Sequence, residues 1–319
     1  MASQSKRAKA HHVLPQFYLR AWRDGDGKVA MLNRDGREIE TGTRALAVEN
    51  DFYAVTDQEG NKSSVVETKL AEWDGEAAAA HAALLRDEFP LEKEQREALG
   101  CWLGLQWLRG RSSRANGEEL YDKLTKMVIQ FGLERNSSEG ESPEPPVSQQ
   151  IGDVGPGFEI PILGDLPDNM KADLADQDSY RVTPTREEQI TQMLNSLPVA
   201  PDAFLETEWH LLRFQGHPLL TSDEPIILQR RPSPENALRG VGPASADSLY
   251  VPISPARCLA LIRTGPSGSE TIRDLPDQEA KNVNRSSVRT MWSQLFRHPK
   301  GTAFPNDIPP LPKERIIVG

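Results

Sequence analysis

The chain has 319 residues, of which 37% are hydrophobic, so it can form one large domain or two ordinary ones with a real core. Its net charge of -10 and its pI of about 5.2 oppose general binding to nucleic acids or anionic membranes, although a local basic patch can still bind phosphate. The apolar run at 98–108 is shorter than the roughly 20 residues that span a bilayer, which predicts no membrane segment.

The start of the chain and the cysteines indicate a cytoplasmic protein. Residues 1–10 contain the basic segment SKRAK with no apolar stretch behind it, so we expect a flexible tail and not a signal peptide. Cys101 and Cys258 lie in apolar runs, which is typical of buried, reduced thiols.

The N-terminal part, 11–134, is predicted to begin with a short helix after Pro15, which suits a first helical turn. Three strands should follow, at KVAMLNR, REIETGT and DFYAV. Helices are then expected at about 64–87, 92–112 and 114–134. The first has a capping box and a buried stripe that includes His81, and the second is apolar almost all round.

A segment rich in Ser, Pro, Gly and Glu, 135–157, has no hydrophobic period and predicts a mobile linker. The C-terminal part, 158–319, should contain a helix that starts at Thr185, a last helix at about 276–296, and an antiparallel sheet. We expect it to pack with the first part as one globular unit. The fold class is therefore α+β, with a helix-dominated core and small antiparallel sheets at both ends of the chain.

Motifs over nearly the whole chain resemble a bacterial family known as domain of unknown function 4238. The opening is similar to that family's His-His-x-x-Pro-x-x-Tyr-Leu pattern, while Arg109-Gly110-Arg111 departs from its usual Arg-Thr-Pro. The resemblance implies no established activity. The segments that carry it are HHVLPQFYLRAW, ENDFYAV, the Glu67 helix, QWLRGRSSR, TSDEPIIL, VPISP and NVNRSS.

His11 and His12 are candidate catalytic residues. The pattern HHxxP also resembles the first element of His-Asn-His nucleases, in which a histidine activates water, but no suitably spaced downstream histidine follows here. The alternative is a polar lock, in which an imidazole N–H bonds a backbone carbonyl and fixes the chain before the helix.

Glu67 and Asp74 are candidate metal ligands. Seven residues apart, they lie on one helix face at a separation of roughly 10 Å, so they need further ligands to hold a divalent cation. The alternative is that Glu67 caps its own helix and Asp74 is solvated.

Arg109 and Gln106 lie near the end of the most apolar helix. A guanidinium there needs an anionic partner because an unpaired buried charge is costly. A structural salt bridge with Glu67, Asp74 or Asp223 is one interpretation, and binding of a substrate phosphate or carboxylate is the other.

Asp223 is a further catalytic candidate, in the turn TSDEP between two apolar runs, where a site and an Asx turn are both compatible with the pattern. Ser222 of the same turn, Gln106 and Tyr18 are candidate substrate contacts.

Two hypotheses follow. One is a metal-assisted hydrolase, such as a phosphodiesterase or nuclease, that acts on a phosphate-containing small molecule or nucleic acid with a divalent cation. The other is a non-enzymatic scaffold or sensor, for example in stress or phage defence, whose polar residues form an internal network. The sequence has no GxGxxG, P-loop, HExxH or CxxC motif, so no nucleotide cofactor is predicted.

Overall fold

A computed structural model describes residues 10–50, 55–56, 62–63, 65–137, 167–233, 240–263 and 270–311. The side chains of His11 and Glu67 lie outside the described part, as do the predicted tail before residue 10 and most of the predicted linker. The division into 11–134 and 158–319 therefore stays a prediction.

The chain forms two compact units, one of residues 1–115 with 186–319 and one of residues 116–185. The described helices are α1 (Gln16–Arg20), α2 (Val65–Leu85), α3 (Lys93–Arg109), α4 (Arg111–Ser137), α5 (Asp168–Ala175), α6 (Arg186–Ser196), α7 (Asp202–Leu205) and α8 (Asp277–Thr290).

The described strands confirm an α+β fold. They are β1 (Ala10–His12), β2 (Lys28–Asn33), β3 (Glu38–Gly42), β4 (Val48–Asn50), β5 (Val55–Thr56), β6 (Lys62–Ser63), β7 (Glu208–Arg213), β8 (Thr221–Ser222), β9 (Ile227–Gln229), β10 (Ser248–Ser254), β11 (Arg257–Ile262), β12 (Thr271–Asp274) and β13 (Gln294–Arg297).

These strands form a five-stranded sheet, β12-β7-β11-β10-β9, and a four-stranded sheet, β3-β2-β13-β8. Two pairs, β1-β4 and β5-β6, complete the set of described strands. Pairing is antiparallel except between β12 and β7. The early hairpin β2-β3 thus shares a sheet with β13, the last of the described strands, so segments more than 250 positions apart in the chain are paired.

The main core of the first unit lies between the helices and the five-stranded sheet. The aromatic side chains buried in it include Tyr18 of α1, Trp22 just after α1, Trp102 of α3 and Trp209 of β7. Glycine at 104 permits α3 to lie close to the backbone of Ala200, because a Cβ at this position would be only 3.0 Å from it.

Two predictions need correction, and a third can be compared with the structure only in part. The last helix does not reach residue 296: α8 ends at Thr290, Met291 turns the chain to an extended conformation, and 294–297 form β13. Cys101 is exposed, not buried, whereas Cys258 is buried as expected, and both are free thiols. Of the predicted strand DFYAV, only Val55 lies within the described residues.

The second unit is held by contacts between α4 and the chain that follows α5. Asp122 accepts a hydrogen bond from the backbone N–H of Val182 at 2.7 Å. The ammonium group of Lys126 lies 3.0 Å from Asp122 and also stacks over the ring of Tyr180. Among the described helices, none has the length and apolar character needed to cross a membrane.

Candidate functional site

Several of the predicted residues meet where α3 passes into α4. We call this group the junction cluster: Glu49, Asp74, Gln106, Arg109, Arg111, Ser112, Arg114, Asp223 and Glu224. Gly110 separates the two helices, and a Cβ at this position would lie 2.6 Å from a carboxylate oxygen of Glu224. That carboxylate accepts a hydrogen bond from the backbone N–H of Ser112 at 2.8 Å. It therefore caps the start of α4, where a negative charge is favoured by the helix dipole.

Arg109 forms the salt bridge that the sequence analysis offered as one interpretation. Its side chain is only 1% exposed, and its Nη1 and Nη2 lie 3.5 and 3.4 Å from the two carboxylate oxygens of Asp74. Gln106 accepts hydrogen bonds from Nε and Nη2 at 2.9 and 2.6 Å. The predicted metal ligand Asp74 thus faces a guanidinium, and the predicted substrate contact Gln106 positions that same group.

Asp223 is buried and has donors on both carboxylate oxygens. Oδ1 accepts a hydrogen bond from the N–H of Trp292 at 2.9 Å, and Oδ2 accepts from the N–H and Oγ of Ser293 at 2.8 and 2.6 Å. Burial raises the pKa of Asp223, and the hydrogen bonds from Ser293 and Trp292 oppose that rise. The side chain therefore joins the TSDEP turn to the chain between α8 and β13.

Ser222 closes its own turn. Its hydroxyl donates to the carbonyl of Glu224 at 2.9 Å and accepts from the N–H of Glu224 at 3.2 Å. This is the local side-chain-to-backbone pattern that serine often makes in turns.

His12 has the geometry of a polar lock. Its ring Nδ1 lies 3.3 Å from the carbonyl oxygen of Leu46, and the amide nitrogen of Gln16 lies 3.3 Å from ring Nε2 and 3.2 Å from Nδ1. With the proton on Nδ1, the ring donates to Leu46 and accepts from Gln16 through Nε2. Gln16 also donates to the carbonyl of Thr43 at 3.0 Å, so the ring ties α1 to the segment before β4.

The strand pair β1-β4 brings the histidine segment to the junction cluster. His11 pairs with Glu49 and His12 with Val48 in the backbone register. The Glu49 carboxylate binds Arg114 at 2.7 Å and Arg111 at 3.3 Å. Burial would raise the pKa of Glu49, but these guanidinium groups hold it below its ordinary value.

The space where these segments meet is small. Its volume is about 20 Å³, which is enough for about one water molecule. The cavity is lined by Val13, Ala47, Val48, Arg111, Asp223, Ser293 and Gln294. Distant segments therefore meet around a cavity of water size, which Asp223 and Arg111 line together with Val13, the residue that follows β1; Arg109 and Asp74 are not among its lining residues.

Tyr18 does not reach this cavity's lining. Its buried hydroxyl lies 2.6 Å from Thr221 Oγ1 and donates to the carbonyl of Pro252. Burial raises the pKa of Tyr18 well above its usual range. The side chain therefore connects α1 to both large sheets.

A second, larger cavity was not found by the sequence analysis. We call it the α8 pocket, because α8 forms one wall and the five-stranded sheet forms the other. Its volume is about 380 Å³, at the lower end of the roughly 300–1,000 Å³ typical of ligand pockets. Its lining residues are His210, Leu212, Phe214, Gln229, Tyr250, Ala260, Ile262, Arg273, Leu275, Glu279, Asn282, Val283, Arg285, Ser286 and Arg289.

The sequence did contain one signal for the α8 pocket. Lys281, Arg285 and Arg289 are spaced four residues apart, which places them on one face of a helix. What the sequence does not show is the opposite wall, which comes from five strands and their neighbouring loops between residues 210 and 275. Within the described part of the chain, no group of three or more His, Cys, Asp or Glu side chains is arranged to hold a metal ion.

Together, the two described sheets, the helices of the first unit and the junction cluster define an α+β protein in which β4, the TSDEP turn and the start of α4 are joined by polar contacts. The chain belongs to the family described as protein of unknown function (DUF4238), whose model matches residues 10–301. No curated protein and no solved structure matches the chain.

Proposed function

We propose that the protein is a non-enzymatic scaffold or sensor, in which the junction cluster is a structural polar network. The observation that carries this proposal is the pairing of Asp223, whose two carboxylate oxygens accept three hydrogen bonds from residues 292 and 293. A carboxylate with these donors at 2.6–2.9 Å is engaged in holding two chain segments together.

The electrostatics of the cluster support the same proposal. Arg109 is almost fully buried, and its charge is balanced by Asp74. Glu49 is balanced by two further arginines. Charges that neutralise each other in this way satisfy the requirement that buried ions be paired, without any ligand. The cytoplasm is the compartment that we propose, because the chain has two cysteines and both are free.

The first test replaces Asp223 with Ala. We expect a loss of about 3 kcal/mol in the free energy of unfolding, because two backbone N–H groups and a hydroxyl lose their buried acceptor. Urea unfolding followed by circular dichroism measures the loss, and Asp26→Ala, at an exposed loop position, is the matched control. A D223A protein as stable as wild type would contradict the proposed structural role.

The second test uses metal ions. Thermal unfolding of wild type and His12→Ala is compared with and without Mg²⁺, Mn²⁺, Ca²⁺ and Zn²⁺. The scaffold or sensor proposal expects no metal-dependent rise in the melting temperature of either protein. A rise in wild type that is lost in H12A would contradict it and would support a histidine-centred metal site.

A metal-assisted hydrolase is the second candidate. It is favoured by one observation: Val13, which directly follows His12 in the chain, lines the 20 Å³ cavity together with Asp223 and Arg111, and this cavity has room for a water molecule. In this proposal a histidine activates that water, a divalent cation binds nearby carboxylates, and an arginine receives a phosphate oxygen of a small nucleotide or a nucleic acid. Hydrolysis of bis(p-nitrophenyl) phosphate with Mn²⁺ by wild type, abolished in His12→Ala, is the result that this candidate requires.

A further inference from the structure

The α8 pocket has a positive mouth in an acidic protein. Its titratable lining groups are Arg273, Arg285 and Arg289, with Glu279 as the one carboxylate and His210 on the sheet side. The chain as a whole carries a net charge of -10, so this concentration of arginines runs against its average composition. An overall negative field repels a long polyanion but leaves a recessed positive site open to a small anion.

Arg285 and Arg289 of α8 are exposed, and among the residues that the structure describes no ion pair joins either of them to a carboxylate. Lys281 lies one turn before Arg285 on the same face, so the three cations repel each other along the helix. An anion between Arg285 and Arg289 would relieve that repulsion, and guanidinium forks match the geometry of a phosphate group.

The opposite wall of the α8 pocket is apolar and partly aromatic. Leu212 of β7 and Ile262 of β11 line this wall. Phe214, the residue that follows β7, lies two positions after Leu212 and lines the same wall. The half-buried ring of Tyr250, from β10, faces the same space. A flat ring can pack against this wall, and the exposed amide of Gln229 at the end of β9 offers both a donor and an acceptor to the ring's polar edge.

The exposed Arg273 and the buried His210 form the polar part of the sheet-side wall of the pocket. Arg273 donates from Nε to the hydroxyl of Thr271 at 3.2 Å, and its Nη2 lies 3.3 Å from Nε2 of His210. Glu208 lies 3.0 Å from the same ring nitrogen. Burial, and then the nearby Arg273, lower the pKa of His210, so the imidazole is neutral at pH 7 and the positive charge of the site belongs to the arginines.

We propose that the α8 pocket binds a nucleoside monophosphate, with the phosphate on Arg285 and Arg289 and the base against Tyr250. The combination of an arginine pair at the mouth, a flat apolar wall and a volume of about 380 Å³ fits a small molecule that has one anionic end and one aromatic end. This site is separate from the junction cluster, and the proposal holds whether that cluster is structural or catalytic.

The test is isothermal titration calorimetry of the full chain with the four common nucleoside 5′-monophosphates, with adenosine, and with inorganic phosphate. We expect at least one monophosphate to bind at least about 10-fold more tightly than its nucleoside and than inorganic phosphate, since both ends contribute. Binding should weaken as salt is raised, because the mouth is charged and exposed.

Two sets of variants locate the site. Arg285→Gln with Arg289→Gln should weaken monophosphate binding by about 10-fold or more, while Arg44→Gln, an exposed arginine outside the lining of the α8 pocket, should leave it unchanged. Tyr250→Leu keeps an apolar side chain and should weaken monophosphate binding without changing the response to inorganic phosphate. Melting temperatures of all variants show whether they fold.

Three results would overturn the proposal. They are the failure of all four monophosphates to bind wild type, equal binding by wild type and the R285Q/R289Q protein, and binding of inorganic phosphate as tight as that of the best monophosphate. A metal-dependent change in melting temperature that is lost in His12→Ala bears on the junction cluster alone, so the two proposals fail separately.

Discussion

The junction cluster and the α8 pocket both contain arginines, but these arginines differ in burial and in pairing. Arg109 is buried and fixed by Asp74 and Gln106, whereas Arg285 and Arg289 lie exposed at the mouth of a cavity. A buried cation must carry its counter-charge within the fold, because desolvation without a partner is expensive. An exposed cation is hydrated and stays available to a ligand. Arg109, the arginine that stands in a recognisable sequence motif, therefore has its ionic partner within the fold.

The largest expected effect that sharpens this comparison is at Arg109. Arg109→Ala should lower the free energy of unfolding by about 4 kcal/mol, because it removes a buried side chain and leaves Asp74 and Gln106 without their partner. Denaturant unfolding measures the loss. Arg86→Ala breaks the Arg86–Glu88 pair, an exposed pair of similar chemistry, and should have a far smaller effect. Equal effects at the two positions would break the distinction between buried and exposed arginines.

A second prediction concerns His81, the buried histidine of α2. Its Nε2 donates to the carbonyl of Ile253 at 3.1 Å, and burial lowers its pKa from 6.5 to about 4. In the unfolded chain the ring takes up a proton below pH 6.5, while in the folded chain it does so only near pH 4, so stability falls as the pH decreases between these values. The loss from this residue should reach about 2 kcal/mol near pH 5.

The matched variant for this pH effect is His81→Gln, which keeps an N–H donor but does not titrate. We expect the difference in unfolding free energy between wild type and H81Q to become less favourable to wild type as the pH falls from about 7 to about 5. Urea unfolding at several pH values gives this difference. A difference that stays constant would mean that the folded and unfolded chains protonate position 81 alike.

The smallest expected effect is on the stability of α8. Arg285→Gln should raise the free energy of unfolding by about 0.3 kcal/mol, because it removes the like-charge repulsion with Lys281 and Arg289 at a spacing of four residues and lies before the last turn of the helix. The measurement is made at low ionic strength, and the gain should shrink when salt screens the charges. A clear loss of stability would show that Arg285 has a structural partner, which would make the α8 pocket similar to the junction cluster.

Periodicity along the chain predicted most elements correctly. The amphipathic patterns that begin near residues 64, 92, 114 and 185 correspond to α2, α3, α4 and α6, and the short apolar runs after residue 207 correspond to β7, β9, β10 and β11. Local patterns succeed here because the alternation of buried and exposed positions in these elements has a single period.

The error at the end of α8 shows a feature that local sequence patterns cannot predict. Val288, Met291, Trp292 and Leu295 have spacings that suit a helix, yet Leu295 lies in a strand that pairs with β2 and β8. The backbone N–H groups of Trp292 and Ser293 bond to Asp223 in place of helical carbonyls. A partner about 70 positions earlier in the chain thus decides the local structure, and no window of sequence contains both.

The candidate site was predicted in part for the same reason. The turn around Asp223, the need of Arg109 for an anionic partner and the lock at His12 follow from local chemistry. Which of the three carboxylates named from the sequence pairs with Arg109 depends on how α2 packs against α3, and that packing selects Asp74.

The sequence by itself determined that this is an α+β protein with a net negative charge and a set of polar residues that require partners. It could do so because secondary-structure propensity, hydrophobic period and charge are properties of the residues themselves and of short segments. Only the tertiary structure decided which partners they have and where an open cavity remains. The physical reason is that a salt bridge or a pocket wall is made by segments far apart in the chain, and their meeting depends on the packing of the whole core.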